Sequence, residues 1–232
     1  MNQLFFEFYN SSHKNDFSLE NFIFFPENKL AHNLLQKFFS IKNFDDNPYK
    51  IIVIEGDICS GKTHLIKTFE KEHSFNFISP EQIAKQDPYD LFCYNNFFVI
   101  DDLNSLKNDE RLLQIINCAL ESKSMLVLMC RNLEMFKLAD LKSRLKNFNS
   151  AKINQTNPHN LKLIFTNILS RKQIFLAQQI VDYIFNNIIP KYSEIVYCAK
   201  AIEFYGNESD RKFSINSIDK ILKQNFYRFD QL

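Results

Sequence analysis

The chain has 232 residues, 45% of them apolar, enough to bury a core in one domain or in a domain with a small appendage. Its 28 Lys and Arg against 27 Asp and Glu leave a formal net charge of +1, which excludes a strong overall field toward a nucleic-acid backbone and leaves only a local basic patch open. Five scattered cysteines (Cys59, Cys93, Cys118, Cys130, Cys198) without a C-x-x-C pair argue against a zinc site or a disulfide framework. With neither a signal-peptide pattern nor an apolar run of ~18 residues, a soluble cytoplasmic protein without a membrane role is expected.

In chain order, residues 1–19 begin apolar and turn polar at Asn10-Ser11-Ser12-His13-Lys14, the composition of a tail and linker. Leu30, Leu34, Leu35 and Phe38 then share one face of a helix over 28–38, with Pro26 ahead of it as a start signal. Short apolar runs follow at 51–54, 75–78, 97–100, 125–129 and 151–153, separated by helical patterns at 63–71, 110–122 and 135–145. Strands without strict alternation, interleaved with helices, predict a parallel sheet covered on both faces. After Pro158 the strand-like runs stop. Ile164 and Ile168, then Ile180, Val181 and Ile184, then Ile218, Ile221 and Leu222 recur at helical spacing, with Pro190 as a breaker and Ser214 opening the last helix. The predicted organisation is a tail (1–19), an α/β body (20–157) and a helical lid (158–232).

Gly56-Asp57-Ile58-Cys59-Ser60-Gly61-Lys62-Thr63 is a full G-x-x-x-x-G-K-T loop, directly after a predicted strand and before a predicted helix. Two of the chain's three glycines stand in it. Such a loop curls so that backbone N–H groups face phosphates, with the helix N-terminus adding its positive end. Lys62 is expected to reach the β- and γ-phosphates and the Thr63 hydroxyl to bind Mg²⁺. The second carboxylate such a site needs is offered by Phe97-Phe98-Val99-Ile100-Asp101-Asp102, four apolar residues and then two acids at a strand's C-terminal end. The expected site therefore comprises residues Gly56, Asp57, Ile58, Cys59, Ser60, Gly61, Lys62, Thr63, His64 and Asp101, with Thr63 and Asp101 on the metal and ADP or ATP as ligand. Cys59 is read as a freely variable loop position and not as a redox thiol.

Phe24-Phe25-Pro26-Glu27-Asn28-Lys29-Leu30-Ala31-His32 resembles the segment that precedes the P-loop in the DnaA/Hda family of AAA+ proteins, and the Asp-Asp pair fits the same family. Asp140-Leu141-Lys142-Ser143-Arg144-Leu145 is similar to the family's arginine-finger motif. The resemblance runs from about residue 22 to the C-terminus and implies an AAA+ P-loop NTPase fold: a five-stranded parallel sheet and a C-terminal helical lid. It also implies that Asp102 stands where AAA+ ATPases carry the acid that polarises the attacking water, and that Arg144 acts on a neighbouring subunit's γ-phosphate. The layout, with no long N-terminal region and no helix-turn-helix domain after the lid, is similar to the Hda branch, whose members promote hydrolysis of DnaA-bound ATP. Met1-Asn2-Gln3-Leu4-Phe5-Phe6-Glu7-Phe8 is similar to the short peptides, beginning Gln-Leu, by which such proteins bind the DNA polymerase sliding clamp, through Gln3, Leu4, Phe5, Phe6 and Phe8. The same phenylalanines packing on the protein's own core is the alternative. DnaA and the clamp are thus the implied partners, homo-oligomerisation stays open, and direct sequence-specific DNA binding is not expected.

Two departures weaken the case for efficient turnover of the chain's own nucleotide. After the strand at 125–129, Cys130-Arg131-Asn132 stand in uncertain register where the family has a polar sensor residue, and the lid's sensor arginine aligns near Ser193. Whether the chain is an enzyme in its own right is left undecided. A DnaC-like AAA+ helicase loader and a P-loop kinase are the competing readings. The short tail counts against the first, and the lack of an acceptor region or an Arg-rich lid against the second.

Overall fold

Uninterrupted apolar runs form the centre of the fold. In the computed structural model, which describes residues 22–58, 60–92, 97–106, 108–207 and 213–225, five strands pair in parallel: β1 (Ile51–Gly56), β2 (Asn76–Ile78), β3 (Phe97–Ile100), β4 (Met125–Cys130) and β5 (Asn149–Ile153). Their order is β2-β3-β4-β1-β5. The register sets Ile52 opposite Val127 and Asn149, and Ile100 opposite Leu128. Composition follows position: β3 and β4 are buried along their whole length, whereas β5, paired on one side only, exposes Asn149, Ser150 and Lys152.

The helices are α1 (Pro26–Ser40), α2 (Lys62–Lys67), α3 (Pro80–Lys85), α4 (Pro88–Leu91), α5 (Asp109–Glu121), α6 (Ala139–Asn147), α7 (Pro158–Arg171), α8 (Gln178–Asn187), α9 (Tyr192–Asn207) and α10 (Ile215–Asn225). Because successive strand side chains go to opposite faces, the sheet divides its apolar residues between two cores. Val53, Phe98, Ile100, Leu126 and Leu128 pack with Leu112, Ile115 and Ile116 of α5 and Leu141 and Leu145 of α6. Ile52, Ile54, Val99 and Val127 pack with Leu35, Phe38 and Phe39 of α1 and Leu65 and Ile66 of α2. Two compact units result, one within Phe17–Gln155 and the other from Thr156 onward.

The C-terminal unit is helical. Leu161 and Phe165 of α7, Ile184 of α8, Ile195 and Ile202 of α9 and Ile218 and Leu222 of α10 close one core, each set spaced to fall on one helix face. Lys162 pairs with Asp182 (2.6 Å), and the Tyr183 hydroxyl donates to Asp219 (2.8 Å). Ser214 caps α10, its Oγ accepting from the Ser217 N–H (3.2 Å). No helix among the described residues is long and apolar enough to cross a membrane.

Several elements differ from the sequence reading. The helix expected at 63–71 stops at Lys67, where the Thr68 N–H is shared between the His64 and Leu65 carbonyls and Thr68 Oγ1 donates to Leu65 O (2.7 Å), tightening the last turn. The helix expected at 135–145 is a short 3₁₀ turn (Leu133–Met135), an extended stretch, and then α6. The Asp109 carboxylate accepts the N–H groups of Lys137 (2.6 Å) and Leu138 (2.9 Å), bonds that hold the intervening backbone out of a helix. Two helices were not expected. In α3, Ser79 and Gln82 form a reciprocal capping box, and in α4 the Asp87 carboxylate caps the Tyr89 N–H (2.9 Å).

Asn47 ties α1 to the approach to β1. Its Nδ2 donates to Phe38 O and Ile41 O (both 2.9 Å) and its Oδ1 accepts the Tyr49 N–H (2.8 Å), with the side chain buried. Asn47→Ala leaves these groups unpaired in a dry site, so a loss of about 2 kcal/mol in unfolding free energy is expected. A lowered urea midpoint at unchanged slope is the measurement.

Candidate nucleotide site

The loop after β1 is shaped by two glycines. Gly61 adopts φ +92°, in the left-handed region, and α2 starts at the next residue. At Gly56 a Cβ would fall 2.5 Å from Ser60 Oγ and 3.1 Å from Ile153 O, so no side chain fits there without a shift. Lys62 is 9% exposed, and its ammonium donates to the loop carbonyls Gly56 O (2.5 Å) and Asp57 O (2.9 Å). Burial pushes its pKa down, opposed chiefly by the Asp101 carboxylate.

β4 lies between β1 and β3, so three strand ends converge. Thr63 Oγ1, from the first turn of α2, donates to Asp101 Oδ2 (2.5 Å), while Asp101 Oδ1 accepts the Asp102 N–H (2.8 Å). Ligands of open α/β sheets bind at such carboxyl ends. Asp102 has φ 49° and ψ 53°, a left-handed conformation that Asp tolerates better than most residues. Its carboxylate is engaged by Arg131, the first residue after β4. Sequence reading left Arg131 without a role. The strand runs one residue further than expected, to Cys130, whose thiol burial pushes up to about 12, and this extension sets the register that brings Arg131 to Asp102.

The remaining expected site residues fall as follows. The Asp57 carboxylate accepts from Gln155 Nε2 (2.9 Å), Ile58 is exposed, and the His64 ring meets Phe22 edge-on at 5.1 Å. Cys59 and the peptide Gln3, Leu4, Phe5, Phe6 and Phe8 lie outside the described residues. Arg144, on α6, bonds Asp140 Oδ1 through Nε (3.3 Å) and Asn117 Oδ1 through Nη1 (2.7 Å), with its side chain 40% exposed. Ser193 stands in the first turn of α9.

These residues fit a phosphate chain and its metal. A buried ammonium held by carbonyls in place of a carboxylate leaves a positive charge to be compensated. Ser60 Oγ, in the same loop, is buried without a hydrogen-bond partner among the described residues. Thr63 and Asp101 present a hydroxyl and a carboxylate side by side, the oxygen donors a hard cation takes.

A parallel five-stranded sheet in the order 2-3-4-1-5, with a G-x-x-x-x-G-K-T loop after β1, an acidic pair after β3 and helices C-terminal to the sheet, is the α/β AAA+ fold. Over an alignment of 236 positions the chain is 24% identical to the chromosomal replication initiator protein DnaA of Borreliella burgdorferi, covering 91% of this chain and 48% of that protein. The chain thus spans about half the length of the relatives it matches. Domain III of DnaA from Thermotoga maritima superposes with a TM-score of 0.74 at 17% identity, covering 92% of this chain and 98% of that one. AMPPCP-bound DnaA from Aquifex aeolicus gives 0.66 at 19% identity, covering 84% and 67%. The structural likenesses establish a fold like that of DnaA domain III, and the sequence relationship to DnaA is distant. No family model matches the chain.

Proposed function

We propose that the chain is a DnaA-related, Hda-like regulator of chromosomal replication initiation, which binds an adenine nucleotide, attaches to the sliding clamp and promotes hydrolysis of DnaA-bound ATP. The observation that carries this reading is the Lys62–Thr63–Asp101 constellation on a fold like that of DnaA domain III, whose Aquifex aeolicus relative binds AMPPCP. Lys62 and the loop's N–H groups would hold the phosphates of ADP or ATP, and Thr63 with Asp101 would hold Mg²⁺. Held there, the metal would supply positive charge against the phosphate oxygens. Asp102 orients and polarises water at the chain's own site, and Arg144 contributes positive charge to the site of a partner. Among the described residues, Arg144 donates to Asp140 and Asn117, and a guanidinium carries five donors in all.

The peptide Gln3-Leu4-Phe5-Phe6-Glu7-Phe8 supplies apolar side chains for a preformed groove on the clamp, and the residues that follow act as a linker. Tethering raises the effective concentration of a weak partner, so neither contact has to be tight. The wild-type chain is expected to accelerate ATP hydrolysis by DnaA in the presence of DNA-loaded clamp. The triple variant Gln3→Ala, Leu4→Ala, Phe6→Ala is expected to lose clamp binding in a pull-down, and the acceleration with it, at unchanged nucleotide affinity. A wild-type chain that leaves DnaA turnover unaltered removes the regulator reading. A triple variant that holds the clamp normally removes the role of the tail.

A further inference from the structure

Asp102 and Arg131 face each other across the ends of β3 and β4. The guanidinium donates from Nε to Oδ1 (3.2 Å) and from Nη2 to Oδ2 (3.1 Å), a side-on fork that occupies both carboxylate oxygens. The two turns are laced together around this pair. Asn104 Oδ1 accepts the Arg131 backbone N–H, and Asn104 Nδ2 donates to Asn132 O (3.3 Å). Ser105 bonds back to the Asp102 carbonyl through both its N–H (2.9 Å) and its Oγ (2.8 Å), which fixes the left-handed residue. The pair is therefore set by backbone geometry and is not a chance surface contact.

A carboxylate orients a water through a lone pair aimed at it, and the side-on fork takes one lone pair from each Asp102 oxygen and turns the group toward the guanidinium. We propose that Arg131 is a latch on Asp102: a positioning residue that keeps hydrolysis of the chain's own nucleotide slow by occupying the carboxylate that would polarise the water. The inference rests on the nucleotide reading above and adds a regulatory element within that site. Both side chains are about two-fifths exposed, 40% for Arg131 and 43% for Asp102. A pair of that exposure is weakly held, so the latch suits a site that is switched and not one that is dead.

The test is intrinsic ATP turnover by the full chain, with ADP affinity measured alongside. Arg131→Met, which keeps the bulk and removes the charge, is expected to raise kcat about two- to fivefold, the range an exposed ion pair supports, with KM for ATP unchanged. Arg131→Lys retains a point charge without the fork and should fall between Met and wild type. In the double variant Arg131→Met with Asp102→Asn, turnover should drop to the level of Asp102→Asn alone, a dependence that a merely structural tie does not produce. Should Arg131→Met fail to fold, Arg131→Gln takes its place under the same expectation. Turnover that falls or stays level in a folded variant with wild-type ADP affinity overturns the latch. Absence of ADP and ATP binding by the wild-type chain instead removes the nucleotide reading on which it stands.

Discussion

Lys62→Ala should reduce ADP and ATP affinity at least about 100-fold, ~3 kcal/mol, measured by calorimetry on the purified chain. Lys62 carries a positive charge that burial already disfavours; two backbone carbonyls accept its hydrogen bonds, and among the described residues no carboxylate bonds to it. Phosphates would supply the missing counter-charge, and charge-assisted bonds of this kind are the strong ones. The ligand-free fold should survive the change, since the lost ammonium leaves two carbonyls in a loop and opens no large apolar cavity. An unfolding free energy within about 1 kcal/mol of wild type is expected. Equal nucleotide affinity in the two proteins would falsify the P-loop assignment. A collapse of stability would show that Lys62 is a structural strut.

The second large effect is expected at a distance from this site. Arg144→Ala should remove the acceleration of DnaA's ATP hydrolysis that we propose for the chain, because an arginine contributed in trans to a γ-phosphate accounts for ~10³ to 10⁵ in rate in comparable systems. The chain's own nucleotide affinity should stay within about twofold of wild type, since among the described residues Arg144 bonds to Asp140 and Asn117. Stability should fall by no more than about 2 kcal/mol, from loss of the exposed i,i+4 pair and of the half-buried bond to Asn117. Clamp binding is expected to persist. A variant that accelerates DnaA as the wild type does ends the trans-acting role, and one that loses its own nucleotide moves Arg144 into the chain's own site.

The parallel sheet was legible because its inner strands are buried on both faces and so read as continuous apolar runs. Phe97-Phe98-Val99-Ile100 is the plainest case. The G-x-x-x-x-G-K-T loop was legible because its demands are local: glycines for the backbone path, then a helix start. What escaped were features decided by partners far along the chain. The break before α6 depends on Asp109, and the fork on Asp102 depends on Arg131, contacts that no periodicity encodes. The helices α3 and α4 are too short to show a period. Ser79-Pro80-Glu81-Gln82 nevertheless carries the capping-box signature and could have revealed the first of them.

The left-handed backbone at Asp102 bears on how such a site can evolve. Asp visits that conformation more readily than most residues, whereas Glu pays roughly 1 kcal/mol or more for it. A single codon change to the longer acid would therefore arrive with a strained turn, before any question of whether its carboxylate reaches the water. Ser105, bonded twice to the Asp102 carbonyl, holds the turn in place and so keeps that cost attached to the longer side chain.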